Sequence, residues 1–158
     1  MKKILIAVDY DPSAQKIAET GYSFAKAMGG QVTLLHVTSD ATYYSSLNYS
    51  PIMGFDSFSN LDVVQTDVVD QLRQGAEDYL AKTREFLGDS TIQTIVKDGD
   101  FGDSILEVAD EINADIIVMG THSRSGWDKL LMGSVAEKVL QRSKIPLFII
   151  PSQKEEEK

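Results

Sequence analysis

Asp115-Ile116-Ile117-Val118-Met119-Gly120-Thr121-His122-Ser123, nine further residues, and then Gly133-Ser134-Val135 is the stretch that decides the fold. The apolar run from Asp115 to Met119 reads as a buried strand, and an amphipathic helix, Ser134 to Arg142, begins where the stretch ends. Between them lies a glycine-bearing loop. Backbone N–H groups at a helix N-terminus favour phosphate, and a glycine at position 133 lets a ligand approach them closely. The loop is therefore a nucleotide-binding candidate.

Outward from this stretch, apolar runs alternate with helical patterns. Lys3 to Val8 reads as strand one, followed by a helix that Asp11 can cap, Pro12 can open and Gly29-Gly30 terminate. Val32 to Val37 is strand two. From Thr38 to about Asn60 no period is clear, and residues 38–60 read as a long variable loop. Helical spacing returns at Val64, Val68, Leu72, Ala76, Leu80 and Leu87. Ile92 to Val96 is strand three, Gly102 to Ile112 a helix, Asp115 to Met119 strand four and Leu147 to Ile150 strand five. Strands apolar on both faces and separated by helices predict a doubly wound α/β fold, a five-stranded parallel sheet covered on both sides.

A chain of 158 residues suits one domain, expected over residues 1–152, with residues 153–158 as a charged solvated tail. At this length folding removes roughly 70% of the accessible surface, enough for one ordinary core. Composition is globular, 42% hydrophobic and 25% charged. No apolar run approaches the ~20 residues that span a bilayer, and no signal-peptide pattern follows Met1-Lys2-Lys3, so the expected location is the cytoplasm. With no cysteine, disulfides, thiolate metal sites and cysteine nucleophiles are excluded. A net charge of −9 repels nucleic acid and anionic membranes, and no basic patch offsets it.

In such sheets ligands sit beyond the carboxyl ends of the strands, where the strand order reverses. Polar and glycine-bearing turns follow strand one, at Asp9 to Ser13, and strand four, at Gly120. The order 3-2-1-4-5 puts those two strands side by side with the crevice between their ends. The order 2-1-3-4-5 moves the glycine loop away from it, so the former is expected.

The start Ile4-Leu5-Ile6-Ala7-Val8-Asp9, the segment Val32-Thr33-Leu34-Leu35-His36-Val37 and the closing run from Asp115 through Gly133-Ser134-Val135-Ala136-Glu137 to Ile145-Pro146 resemble the universal stress proteins. The resemblance covers the chain except residues 38–60. In that family a glycine, two residues, a second glycine, nine residues, then glycine with serine or threonine marks members that bind ATP. This chain keeps the spacing but has Ser123 at the second glycine. Where a positive φ is required, a serine costs on the order of 1 kcal/mol, yet its hydroxyl can equally donate to a phosphate oxygen, and Gly126 can supply flexibility. A second departure is Asp11, where relatives often carry a serine.

The resemblance implies phosphate and ribose contacts from Gly120, Ser123, Gly133, Ser134 and Val135, with Met119 at the adjoining strand end. It implies an adenosine end formed by Ala7, Val8 and Asp9, and an adenine contact at Val37. Other readings of the same residues stay open. Asp9 can end strand one and cap the helix, and Val37 is an ordinary core residue. Gly133 can be a turn residue. Ser134 with Glu137 spells the Ser-x-x-Glu capping box, which would commit its hydroxyl to its own helix.

His122, Ser123 and Asp9 do not read as a catalytic triad, because adjacent loop residues seldom present a base to their neighbour and no Gly-x-Ser-x-Gly elbow is present. His36, within an apolar strand, reads as a structural histidine. Asp98, Asp100 and Asp103 lack the spacing of a calcium loop and read as a solvated turn and helix start. Magnesium or manganese would arrive with the triphosphate. Arg124 and Lys129 are candidate phosphate counter-charges or plain surface cations. Tyr43, Tyr44, Tyr49, Phe55 and Phe58 in the long connection speak against pure solvation.

The expected function is an ATP-binding regulatory or stress-response dimer without rapid chemistry. The alternatives are a slow ATP hydrolase or phosphotransferase, and a nucleotide-free, chaperone-like interaction protein. Strand five ends the sheet in the 3-2-1-4-5 order as an apolar edge, so pairing of residues 146–151 with a second copy about a twofold axis is expected.

Overall fold

A computed structural model describes residues 1–10, 12–38, 61–121 and 133–151, with residues 61–67 described by backbone alone. The elements are β1 (Lys3–Ala7), α1 (Ala14–Ala27), β2 (Gln31–Thr38), α2 (Leu61–Leu87), β3 (Gln93–Asp98), α3 (Phe101–Glu111), β4 (Ile116–Gly120), α4 (Ser134–Arg142) and β5 (Leu147–Ile150). All five strands form one parallel sheet in the order β3-β2-β1-β4-β5. The doubly wound reading and its strand order therefore hold.

Period-two alternation on doubly buried strands builds two cores. Ile4 and Ile6 of β1, Val32 and Leu34 of β2 and Val118 of β4 pack with Ile17 and Ala18 of α1 and Leu80 of α2. The intervening Leu5, Leu35, Ile117 and Met119 pack with Ile105 and Val108 of α3 and Val139 of α4. Helix α1 lies so close to the sheet that a Cβ at Gly21 would meet Ile6 Cδ1 and Val118 Cγ1, each at 3.0 Å. Adjacent β1 and β4, paired Ile4 to Ile116 and Ile6 to Val118, leave their carboxyl ends side by side.

Several boundaries differ from the sequence expectation. Val8 lies past β1, its amide still donating to the Leu35 carbonyl at 2.9 Å. Thr38 belongs to β2, not to the long connection. Strand three runs from Gln93 to Asp98. Helix α1 starts at Ala14 behind an N-cap at Ser13: its first helical bond runs from the Ile17 amide to the Ser13 carbonyl, 3.1 Å, which leaves Pro12 in the preceding turn rather than opening the helix. Gly29, at φ 68°, ends that helix as expected. Asp11, the segment 39–60 and the tail 153–158 lie outside the described residues.

The capping box is also corrected. Gly133, extended at φ −61° and ψ 156°, occupies the N-cap of α4, and its carbonyl accepts the first helical bond from Glu137 at 3.0 Å. Ser134 is therefore already inside the helix. A capping box requires the serine one position earlier, so Ser134 does not form one with Glu137.

Candidate functional site

Beyond the carboxyl ends of β1, β2 and β4 the chain leaves a cavity of about 150 Å³. Eight of the ten residues singled out from the sequence line it. Ala7, Val8 and Asp9 come from β1 and the turn after it, Val37 from β2, Met119 and Gly120 from β4, and Gly133 and Val135 from the start of α4. Ser134 is exposed and does not line it. Ser123 lies outside the described residues, as do His122, Arg124, Gly126, Trp127 and Lys129.

At the α4 end the cavity meets backbone donors. The N–H groups of Ser134, Val135 and Ala136 precede the first intrahelical bond and have no partner within the helix. No side chain caps it at Gly133. The Gly133 amide donates to the Thr121 carbonyl at 2.6 Å and ties the helix start to the end of β4. Partial positive charge at such a terminus favours an anion.

The rest of the lining is mostly apolar and partly aromatic. Val37, Leu35, Phe101 and Ile105 face the cavity from β2 and α3, and Tyr10, Ile17 and His36 from the α1 side. His36 is buried and its Nδ1 donates to the Val8 carbonyl at 2.9 Å, a structural role as its strand position predicts. Sequence reasoning did not assign Tyr10, Ile17, Leu35, His36, Phe101, Ile105, Thr121 or Ala136 to the site. The spacing of Phe101 and Ile105, one helical turn apart at the start of α3, carries a signal for a shared face but none for a shared cavity.

An ion cluster joins the start of α3 to α4. Asp100 caps α3 by accepting from the Asp103 amide at 2.9 Å, and Lys138 donates to Asp100 at 2.8 Å and lies 3.2 Å from Asp103. The Lys138 ammonium holds the Asp100 carboxyl below its ordinary range, and Asp100 in turn raises the lysine. Asp100 and Asp103 thus form the solvated helix start expected of them. Among the described residues, no group of three or more His, Asp or Glu side chains is placed to hold a metal ion.

The family model for universal stress proteins matches residues 1–151. The chain belongs to the universal stress protein family. Over 98% of its length it is 26% identical to a universal stress protein of Methanocaldococcus jannaschii, covering 85% of that protein. The solved universal stress protein UspA of Lactobacillus plantarum superposes with a TM-score of 0.74 at 20% identity, over 94% of this chain and 97% of that one. A universal stress protein solved in complex with cAMP superposes with a TM-score of 0.60 at 19% identity, over 94% and 95% of the two chains. At these identities the structural likeness speaks for the fold.

Proposed function

We propose that this universal stress protein binds an adenine nucleotide, ATP foremost, in the cavity between β1 and β4, and acts as a regulatory, stress-response dimer in the cytoplasm. The observation that carries the reading is the N-terminus of α4, where the N-cap Gly133 supplies no side-chain cap, opening beside the cavity that Asp9 and Val37 also line. An apolar wall, a carboxylate and a row of backbone donors suit, in turn, a base, a ribose and a phosphate chain. In this reading Val37, Val8 and Ala7 pack against adenine, and Asp9 accepts hydrogen bonds from ribose hydroxyls. The amides following Gly133 hold phosphate oxygens, with Gly120 and Met119 lining the path between, and the family resemblance adds Ser123 as a phosphate contact. Magnesium or manganese enters with the triphosphate and offsets its charge, which the protein's own net charge of −9 does not.

A related universal stress protein was solved with cAMP, which shares the base, ribose and phosphate chemistry. Cyclic nucleotide is therefore the competitor to test beside ATP. Chromatography of the supernatant after denaturing the purified protein reads any nucleotide carried along, and competition of ATP against cAMP ranks the two. Displacement of a fluorescent ATP analogue by neither would overturn the proposal.

The unequal edges of the sheet support the dimer reading. Edge strand β3 carries Lys97, whose ammonium reaches Glu107 at 3.2 Å and Glu111 at 3.3 Å on α3. Charge of this kind discourages strand addition. Strand β5, Leu147-Phe148-Ile149-Ile150, has no charged residue and only Ile150 is fully buried. A second copy is proposed to pair there.

A further inference from the structure

Val8 and Asp9 stand just past β1 at the lip of the cavity, and neighbouring elements hold their main chain on both sides. His36 of β2 donates from Nδ1 to the Val8 carbonyl at 2.9 Å. Tyr79 of α2 donates from its hydroxyl to the Asp9 carbonyl at 2.6 Å. The rings around these bonds pack on one another: Tyr10 lies 4.3 Å from His36 and 4.9 Å from Tyr79 between centroids, and His36 lies 5.8 Å from Tyr79.

A peptide unit is planar, so a bond to its carbonyl orients the whole plane. The Val8 carbonyl belongs to the plane before the Asp9 Cα, and the Asp9 carbonyl to the plane after it. Restraining both planes narrows φ and ψ of Asp9, and with them the direction of its Cα–Cβ bond, leaving χ1 as the remaining freedom of the carboxylate. We propose that Tyr79 and His36 are positioning residues that pre-set the Asp9 carboxylate for the ribose hydroxyls of a bound nucleotide. This inference rests on the nucleotide reading above. Neither side chain need touch the ligand, since each acts through the main chain of the turn, and ordering that turn before binding removes a cost otherwise met during binding.

The test is a double-mutant cycle on ATP affinity, measured by calorimetry on the full chain. Tyr79→Phe keeps the ring against Tyr10 and His36 and removes only the hydroxyl. It should weaken ATP binding about fivefold, the size of one ordinary hydrogen bond, while thermal melting shows the domain still folded. In an Asp9→Ala background the same substitution should change affinity less than twofold, because no carboxylate remains to be positioned. The loss should likewise vanish when the titrant is 2′,3′-dideoxy-ATP, which lacks both hydroxyls. An equal loss in both backgrounds, or with both nucleotides, would show a general structural role and overturn the inference. Failure of the nucleotide reading looks different: the wild type itself would bind no ATP, which overturns both.

Discussion

The amide of Gly133 donates to the carbonyl of Thr121 at 2.6 Å, closing the chain across the eleven residues between them. The start of α4 is thereby fixed to the end of β4 by a bond that does not depend on the side chains of the intervening loop. Substitutions in that loop should change local contacts to phosphate without displacing the helix.

Ser123→Gly restores the family spacing of glycines and is expected to strengthen ATP binding by about 1 kcal/mol, the cost of a serine where the backbone prefers glycine. Calorimetry on the two proteins decides it. Weaker binding in the variant would mean that the serine hydroxyl itself contacts phosphate.

Trp127 is the only tryptophan and lies in the same loop. Adding ATP with magnesium should change its fluorescence, with a midpoint that matches the calorimetric affinity. A flat titration over a range where calorimetry detects binding would show that the loop does not reorganise around it.

With the proposed pairing through β5, Phe148→Lys and Ile149→Lys are each expected to be monomeric by light scattering. Phe148 also packs edge-on against Phe24, 4.5 Å between ring centroids, so its replacement loosens that contact as well. Ile149 belongs to the other core, with α3 and α4, and the two substitutions therefore strain different faces. Both side chains are partly buried against a core, so circular dichroism separates loss of pairing from unfolding of the domain. A monomeric wild type at micromolar concentration would sink the dimer.

The sheet and its order were legible because position carried the information: a glycine-bearing turn after β4 and a polar turn after β1 must meet for a crevice to exist. Of the ten residues that the family resemblance named, eight line the cavity at those strand ends. What escaped has physical reasons. The Ser-x-x-Glu pattern at 134–137 does not say which residue is the N-cap, and a preceding extended glycine takes that place. Tyr79 contacts Asp9 across 70 residues, and nothing local to either marks the pair. Phe101 and Ile105 share one face of α3, and that spacing alone does not tell a core face from a cavity wall.

The turn after α2 should shape the acid limb of stability. Thr91, through its hydroxyl and then its amide, donates to the Asp89 carboxylate, as does Tyr22, and these bonds lower its pKa from 3.8 to about 2. As pH falls through 3.8 the unfolded chain takes up this proton first, so the contribution of Asp89 is complete above that value and is lost on the way down to about 2. Asp89→Asn should lower the urea midpoint near neutral pH, and the gap to wild type should narrow below about pH 4. A gap independent of pH would mean the carboxylate charge is not what the turn uses.

The central claim is that an adenine nucleotide lies with its phosphates at the start of α4, and a calorimetric titration of ATP with magnesium into the wild type and into Gly133→Val tests it most directly. Gly133 has an extended backbone that valine also adopts, so the variant should keep its fold while the added side chain obstructs the helix amides. The account predicts one nucleotide per chain for the wild type and no detectable binding for the folded variant. Equal binding by both would place the nucleotide elsewhere, and no binding by the wild type would contradict the account.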